Sequence, residues 1–79
     1  MNVKIIAPDS RKLMTVEWID AHTLEGSLVI MPGHAPVLLQ LTENKTIAFG
    51  LMGGAVKSMV ITGGLLRVER DGVIIILDA

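Results

Sequence analysis

The amino-acid sequence predicts an all-β protein, a small two-layer β-sandwich of about eight to ten short strands. Glycine, proline, asparagine and aspartate recur at short intervals along the 79-residue chain and mark turns. Between them lie apolar runs of about four to eight residues, and none keeps a helical stripe for about 11 residues. Short strands at even spacing are typical of a sandwich or a barrel. We interpret residues 1–79 as one domain.

Eight strands are predicted from these runs. Residues 12–22 come nearest to a helical pattern, but their β-branched residues and Trp18 favour a strand. The last hairpin is the clearest, because apolar and polar residues alternate before Asp71-Gly72, which suits a two-residue turn. The predicted strands cover residues 2–7, 12–22, 28–31, 37–41, 45–49, 55–62, 64–70 and 73–78.

Composition argues against several classes of function. The net charge is −1, from 7 basic and 8 acidic residues, so no basic field attracts nucleic acid or an anionic membrane. The absence of cysteine excludes disulfides and thiolate metal sites. The longest apolar run, residues 73–77, is far shorter than the ~20 residues of a spanning helix, so no direct membrane insertion is expected. The N-terminus lacks a signal-peptide pattern, which favours the cytoplasm.

Some predicted strands have no polar face, most clearly residues 73–77 and residues 28–31. With 51% hydrophobic and 19% charged residues, the chain has more apolar side chains than a small core requires. Such a strand is either buried on both faces, or its outer face docks a protein partner. The sequence alone favours neither interpretation.

Evidence for an enzyme is weak. His22 and His34 are too few to complete a zinc site in a chain without cysteine. Asp20 shares a strand face with His22 through ordinary alternation, which indicates a solvated polar face. Neither Ser27 nor Ser58 lies in a nucleophile elbow. We therefore predict no catalytic residue, no metal and no cofactor.

Evidence for a phosphate-binding loop, or for a surface that binds single-stranded nucleic acid, is equally weak. The glycines of residues 50–54 are followed by no Gly-Lys-Ser or Gly-Lys-Thr, so they indicate a hairpin turn or a bulge. With one Trp, one Phe and no Tyr, the chain has few aromatic rings on which bases could stack. By alternation Trp18 shares a face with Val16 and Asp20, so it lies either in the core or half exposed, and the core is favoured because tryptophan is highly buried on average.

The most informative segment is residues 25–36. Pro32 and Pro36 fix φ and remove two backbone donors, while Gly33 permits a turn with positive φ. A stiff corner results, which presents the imidazole of His34. That imidazole either bonds a loop carbonyl as a structural residue or projects toward a partner. The predicted rigid loop consists of Pro32, Gly33, Ala35 and Pro36.

This segment resembles the β-sandwich domain of the epsilon subunit of F-type ATP synthases, with its Pro-Gly-His-Ala-Pro motif. Further similar blocks are residues 3–9, 16–19, 61–68, with a Gly-Gly pair, and 73–78. They occur in family order and at family spacing, and they cover nearly the whole chain. The family fold implied is a sandwich of about ten strands followed by a two-helix domain.

The resemblance also predicts departures from the family. The sequence ends at Ala79, so we expect the helical pair to be absent, and with it tight nucleotide binding and a brake on hydrolysis. Ser27 stands where many members have a glutamate that faces the membrane ring. Residues 41–59 match the family loosely, with apolar residues in place of a basic hairpin.

The resemblance implies a non-catalytic rotor subunit of the central stalk, which binds the gamma subunit and the c-ring and couples ion-driven rotation to ATP synthesis. Such a subunit is cytoplasmic and peripheral, on the inner face of the cell membrane. The alternative, of another class, is a free-standing β-sandwich adaptor. By resemblance, Glu25, Ser27 and His34 face the c-ring, and Pro8, Asp9 and Leu38 face gamma.

Overall fold

A computed structural model describes residues 1–79. The chain forms eight strands and no helix. The all-β prediction is confirmed, and every strand end lies within two residues of its predicted position. No helix long and apolar enough to cross a membrane is present. The strands are β1 (Asn2–Ala7), β2 (Ser10–Thr23), β3 (Gly26–Ile30), β4 (Val37–Leu41), β5 (Lys45–Leu51), β6 (Val56–Ile61), β7 (Gly64–Glu69) and β8 (Gly72–Leu77).

The long strand β2 belongs to both layers of the sandwich. Its residues 10–15 pair with β1, and the sheet continues through β8 and β7 to β4, which we name the five-strand layer. The rest of β2 pairs with β3 on one side and with β5 and then β6 on the other, which we name the four-strand layer. A bridge from Thr23 to Leu41 links the layers again. Five strands therefore form a closed circuit around the core.

A β-bulge in β2 reverses the expected position of Trp18. The register of β2 against β5 shifts between Val16 and Trp18, so an extra residue interrupts the alternation of faces. Val16 points into the core and is 1% exposed, whereas Trp18 is half-buried on the outer surface. The prediction that Trp18 belongs to the core is therefore wrong. Its indole covers Gly50, where a Cβ atom would overlap the ring.

The core between the layers is entirely apolar and centres on Phe49 and Ile19, which are fully buried. Its fifteen residues come from all eight strands: Val3, Ile5, Val16, Ile19, Ala21, Ile30, Leu39, Leu41, Ile47, Phe49, Ile61, Leu66, Val68, Val73 and Ile75. The final hairpin turns at Arg70 and Asp71, one residue earlier than predicted, because Glu69 pairs with Gly72. Gly72 is instead needed in the strand, where a Cβ would press on the Asn2 carbonyl of β1.

At one side of the sandwich, β6 is the edge of the four-strand layer and residues 10–15 are the edge of the five-strand layer. On each of these edges, the inward-facing row of apolar residues ends in a lysine. Lys12 lies opposite Ile5 on β1, and Lys57 lies opposite Phe49 on β5. The two side chains meet across this opening, which we name the open side. A hydrogen bond from Lys57, and then its positive charge, lower the pKa of Lys12.

We expect the free energy of unfolding to rise with pH in the alkaline range where lysine titrates. Because the pKa of Lys12 is lower in the folded chain than in the unfolded one, the unfolded chain binds more protons between the two values. Urea unfolding between about pH 8 and pH 11 measures the effect. Lys57→Gln should flatten the rise and Lys4→Gln should leave it. A stability that falls with pH in the wild type would contradict this expectation.

Candidate functional site

Residues 25–36 are not one loop, because strand β3 occupies their first part. Glu25 lies in the turn before β3, and Ser27 is the second residue of the strand. His34 lies in the corner after the strand, and β3 alone is about 17 Å long. Residues 26–30 pair with β2 and bury Ile30, so a paired strand lies between Ser27 and the corner at His34. The three residues predicted to face one partner are thus divided between two ends of the sandwich.

The turn that carries Glu25 is fixed from within by Thr23, the one buried polar residue. Its Oγ1 donates a hydrogen bond to the Gly26 carbonyl at 2.8 Å and accepts one from the Glu25 N–H at 3.1 Å. Gly26 adopts φ +115°, which favours glycine. The backbone N–H of Leu24 also bonds the Gln40 carbonyl at 3.1 Å. The exposed Glu25 carboxylate therefore stands on a rigid turn.

Ser27 contacts His22 across the hairpin, a pair that the sequence reasoning missed. Ser27 Oγ lies 3.0 Å from His22 Nδ1, and both side chains are exposed. The turn at Thr23 to Gly26 sets His22 directly opposite Ser27, and recognising that turn could have revealed the contact. No carboxylate bonds the imidazole, so the orienting group of a nucleophile–base set is missing. No group of three or more acidic, cysteine or histidine side chains could hold a metal ion.

The corner around His34 is a tight turn. The N–H of His34 donates to the Met31 carbonyl at 3.1 Å, and Gly33 has φ +87°. Pro32 in the second position and glycine with positive φ in the third match a type II turn. His34 is half-buried, and its Nδ1 lies 2.7 Å from the Ala35 carbonyl. This bond is what the structural interpretation of His34 requires. A cavity of about 110 Å³ beside it is shared with Met1 and the β7–β8 turn.

The five-strand layer exposes an extended apolar surface on its outer side. Strand registers place six apolar side chains there in two rows, which we name the apolar face: Leu38, Leu65, Ile76, Ile74, Ile6 and Leu13. Four of them are more than two-fifths exposed, from 42% for Leu65 to 71% for Leu13. The strand β8 is therefore not buried on both faces. Contiguous exposed apolar area of this kind marks interaction sites.

Positive charges accompany the apolar face. Lys4 and Arg67 lie within its rows, and Arg11 lies beside Ile6. Arg67 pairs with Glu69 at 3.7 Å, an exposed ion pair worth little to stability. A groove of about 690 Å³ opens on this surface. The surface therefore fits a partner that offers apolar side chains together with carboxylates.

The residues predicted to face gamma lie on or beside this surface. Leu38 is part of the apolar face and is 63% exposed. Pro8 and Asp9 are exposed in the turn between β1 and β2, next to the end of its rows. Leu38 lies on β4 at one edge of the five-strand layer, whereas Pro8 and Asp9 lie in the β1–β2 turn at the opposite edge, so the apolar face extends between them.

Comparison with known proteins decides the family. The model of the β-sandwich domain of the ATP synthase delta/epsilon chain matches residues 1–79. The chain belongs to this family. The family resemblance seen in the sequence is therefore confirmed, and so is the β-sandwich fold.

Relatives of the delta/epsilon family share the whole length of this chain. The ATP synthase epsilon chain of Rhodococcus erythropolis is 34% identical over 80 residues, covering all of this chain and 66% of its own length. The epsilon chain of Halalkalibacterium halodurans is 31% identical over 81 residues, covering all of this chain and 59% of its own length. The chain thus spans about two thirds, or less, of the length of these relatives.

Solved structures show the same fold in mitochondrial ATP synthases. A chain of the Euglena gracilis enzyme, solved with OSCP, F1 and c-ring, superposes with a TM-score of 0.89 at 26% identity. The match covers 98% of this chain and 49% of that one. A chain from the central stalk and c-ring of the Tetrahymena thermophila enzyme gives 0.81 at 22% identity, covering 100% and 63%, and indicates the fold alone.

Proposed function

We propose that this chain is a non-catalytic subunit of the central stalk of an F-type ATP synthase. In this role it binds the gamma subunit and the c-ring, and it passes torque between them during ion-driven ATP synthesis. The complex would hold it on the inner, cytoplasmic face of the membrane without insertion. Family membership supports the assignment, and the exposed His22–Ser27 pair offers no catalytic alternative.

The observation that carries the proposal is the apolar face, which nothing in the chain covers. Gamma is its proposed occupant, since Leu38 lies within it and Pro8 and Asp9 lie at its margin. Burying these side chains against gamma would contribute roughly 25 cal/mol for each Å² removed from water. The closed circuit of paired strands behind the face suits a part that must transmit force with little deformation.

The ring contact is proposed at the end that carries Glu25 and Ser27. Both are exposed, and the turn between them is held by Thr23, so ordering the contact costs little entropy. Glu25 supplies a carboxylate and Ser27 a hydroxyl to the polar loops of the ring. His34 lies beyond the other end of β3, and its Nδ1 is hydrogen-bonded to the Ala35 carbonyl, so we do not include it in this contact.

The orientation of the chain in the complex gives a direct test. Single cysteines at Ser27 and at His34 are crosslinked in the assembled ATP synthase, and each variant is the control for the other because both side chains lie outside the core. We expect Ser27→Cys to attach to a c subunit and His34→Cys not to. If only His34→Cys attached to a c subunit, the chain would have the opposite orientation in the complex. Attachment of both to the catalytic alpha or beta subunits would refute the proposed function.

A further inference from the structure

We propose that Lys12 and Lys57 form a second binding site, for an acidic extended segment of a partner protein that docks at the open side of the sandwich. The site is separate from the proposed gamma and ring contacts. Lys12 and Lys57 lie on the inner faces of edge strands, opposite the buried Ile5 and Phe49, whereas the apolar face is on the outer side of the five-strand layer. The proposal rests on three features of this side: its free strand edges, its charge and its floor.

Both strands that border the open side have an unpaired edge. β6 pairs only with β5, and residues 10–15 of β2 pair only with β1. Their outer backbone N–H and C=O groups are therefore free to bond another chain. An extended peptide commonly adds to such an edge through main-chain hydrogen bonds, with side-chain pockets giving specificity.

The charge at the open side is uncompensated. The single ion pair of the chain joins Arg67 and Glu69, so neither Lys12 nor Lys57 has a carboxylate partner. The strand registers place both lysines on the inner faces of the two edges, and Lys57 lowers the pKa of Lys12 through a hydrogen bond and its positive charge. A carboxylate placed beside them would accept charge-assisted hydrogen bonds from both and relieve the repulsion.

The floor of the open side is apolar. Met14 and Met59 are the neighbours of Lys12 and Lys57 on the same strand faces, and both are half-buried against the core. A segment added to β6 would thus meet a lysine and then a methionine on its inward side. Glutamate and a large apolar residue in alternation at inward positions would match them. The same lysines repel a second copy of this chain, so the site discriminates between partners.

The test uses the full chain and a capped peptide, Thr-Glu-Thr-Leu-Thr-Glu-Thr-Leu, with a second peptide in which lysine replaces glutamate. We expect saturable binding of the acidic peptide that weakens with salt, and no binding of the basic one. Lys12→Gln and Lys57→Gln should each weaken binding about fivefold. Lys45→Gln should change nothing, because Lys45 is exposed on β5 opposite Ile61, at the other end of the β5–β6 ladder from Lys57. Slower amide exchange in β6 or in residues 10–15 locates the peptide.

Several results would overturn the site. They are a failure of binding to saturate, equal binding of both peptides, equal weakening of binding by Lys45→Gln, or amide protection confined to β3. Thermal unfolding of each glutamine variant checks that the fold is intact. Lys57→Gln in the assembled synthase should leave the Ser27 crosslink in place, so failure of this site and failure of the proposed function are distinguishable.

Discussion

Replacing Gly64 by alanine should destabilise the fold more than any other glycine substitution in the chain. Gly64 has φ +152°, and an added Cβ would overlap the Ile76 carbonyl and lie 3.0 Å from Leu77 Cα on β8. Both are backbone atoms in a paired strand, so neither can yield without breaking the β7–β8 ladder. We expect a loss of about 3 kcal/mol or more. A domain of this size has roughly 4–12 kcal/mol in total.

Thermal unfolding measures the effect, with Gly54→Ala as the matched control. Gly54 has φ +92° but open space around its Cβ position, so alanine there adds backbone strain without a clash. We expect about 1 kcal/mol for Gly54→Ala, a drop of roughly 4–8 °C in melting temperature. Gly64→Ala should lower the melting temperature at least twice as far. Equal shifts for the two variants would show that close packing of β7 on β8 contributes nothing.

The strands were predictable because periodicity and turn residues act locally. In β7, apolar Leu66 and Val68 alternate with Leu65 and Arg67, and the two sets lie on opposite faces. Glycine and proline also fixed the corner at Pro32 and Gly33, whose φ matches the turn they predict. Local chemistry of this kind needs no knowledge of which strands pair.

The features that were missed depend on pairing between distant residues. Trp18 lies outside the core because a bulge changes the register of β2 against β5. The alternation of residues along one strand does not reveal such a bulge. Lys12 and Lys57 meet because residues 10–15 and β6 are edges of two different layers. Both features follow from topology, not from propensity. The resemblance assigns Ser27 and His34 to one contact, and β3 separates them in the fold.

Charging the apolar face should abolish the proposed binding to gamma and leave the fold intact. Leu65 and Ile76 are direct neighbours across the β7–β8 ladder, 42% and 48% exposed. In the double variant Leu65→Lys with Ile76→Lys, two ammonium groups would have to be desolvated in the interface. We expect the affinity for gamma to fall about 100-fold or more, since each buried charge costs well over 1 kcal/mol.

The melting temperature, measured with and without gamma, tests whether the affinity for gamma is lost. A partner that binds only the folded chain stabilises it by about 2.7 kcal/mol at 100 times its Kd. The wild type should therefore melt higher with gamma, and the double variant should not. Val60→Lys is the control, because Val60 is 71% exposed on β6, away from the apolar face. If Val60→Lys alone removed the stabilisation, the outer side of the four-strand layer would be the gamma interface. If gamma stabilised neither the wild type nor any variant, the adaptor function would replace the rotor.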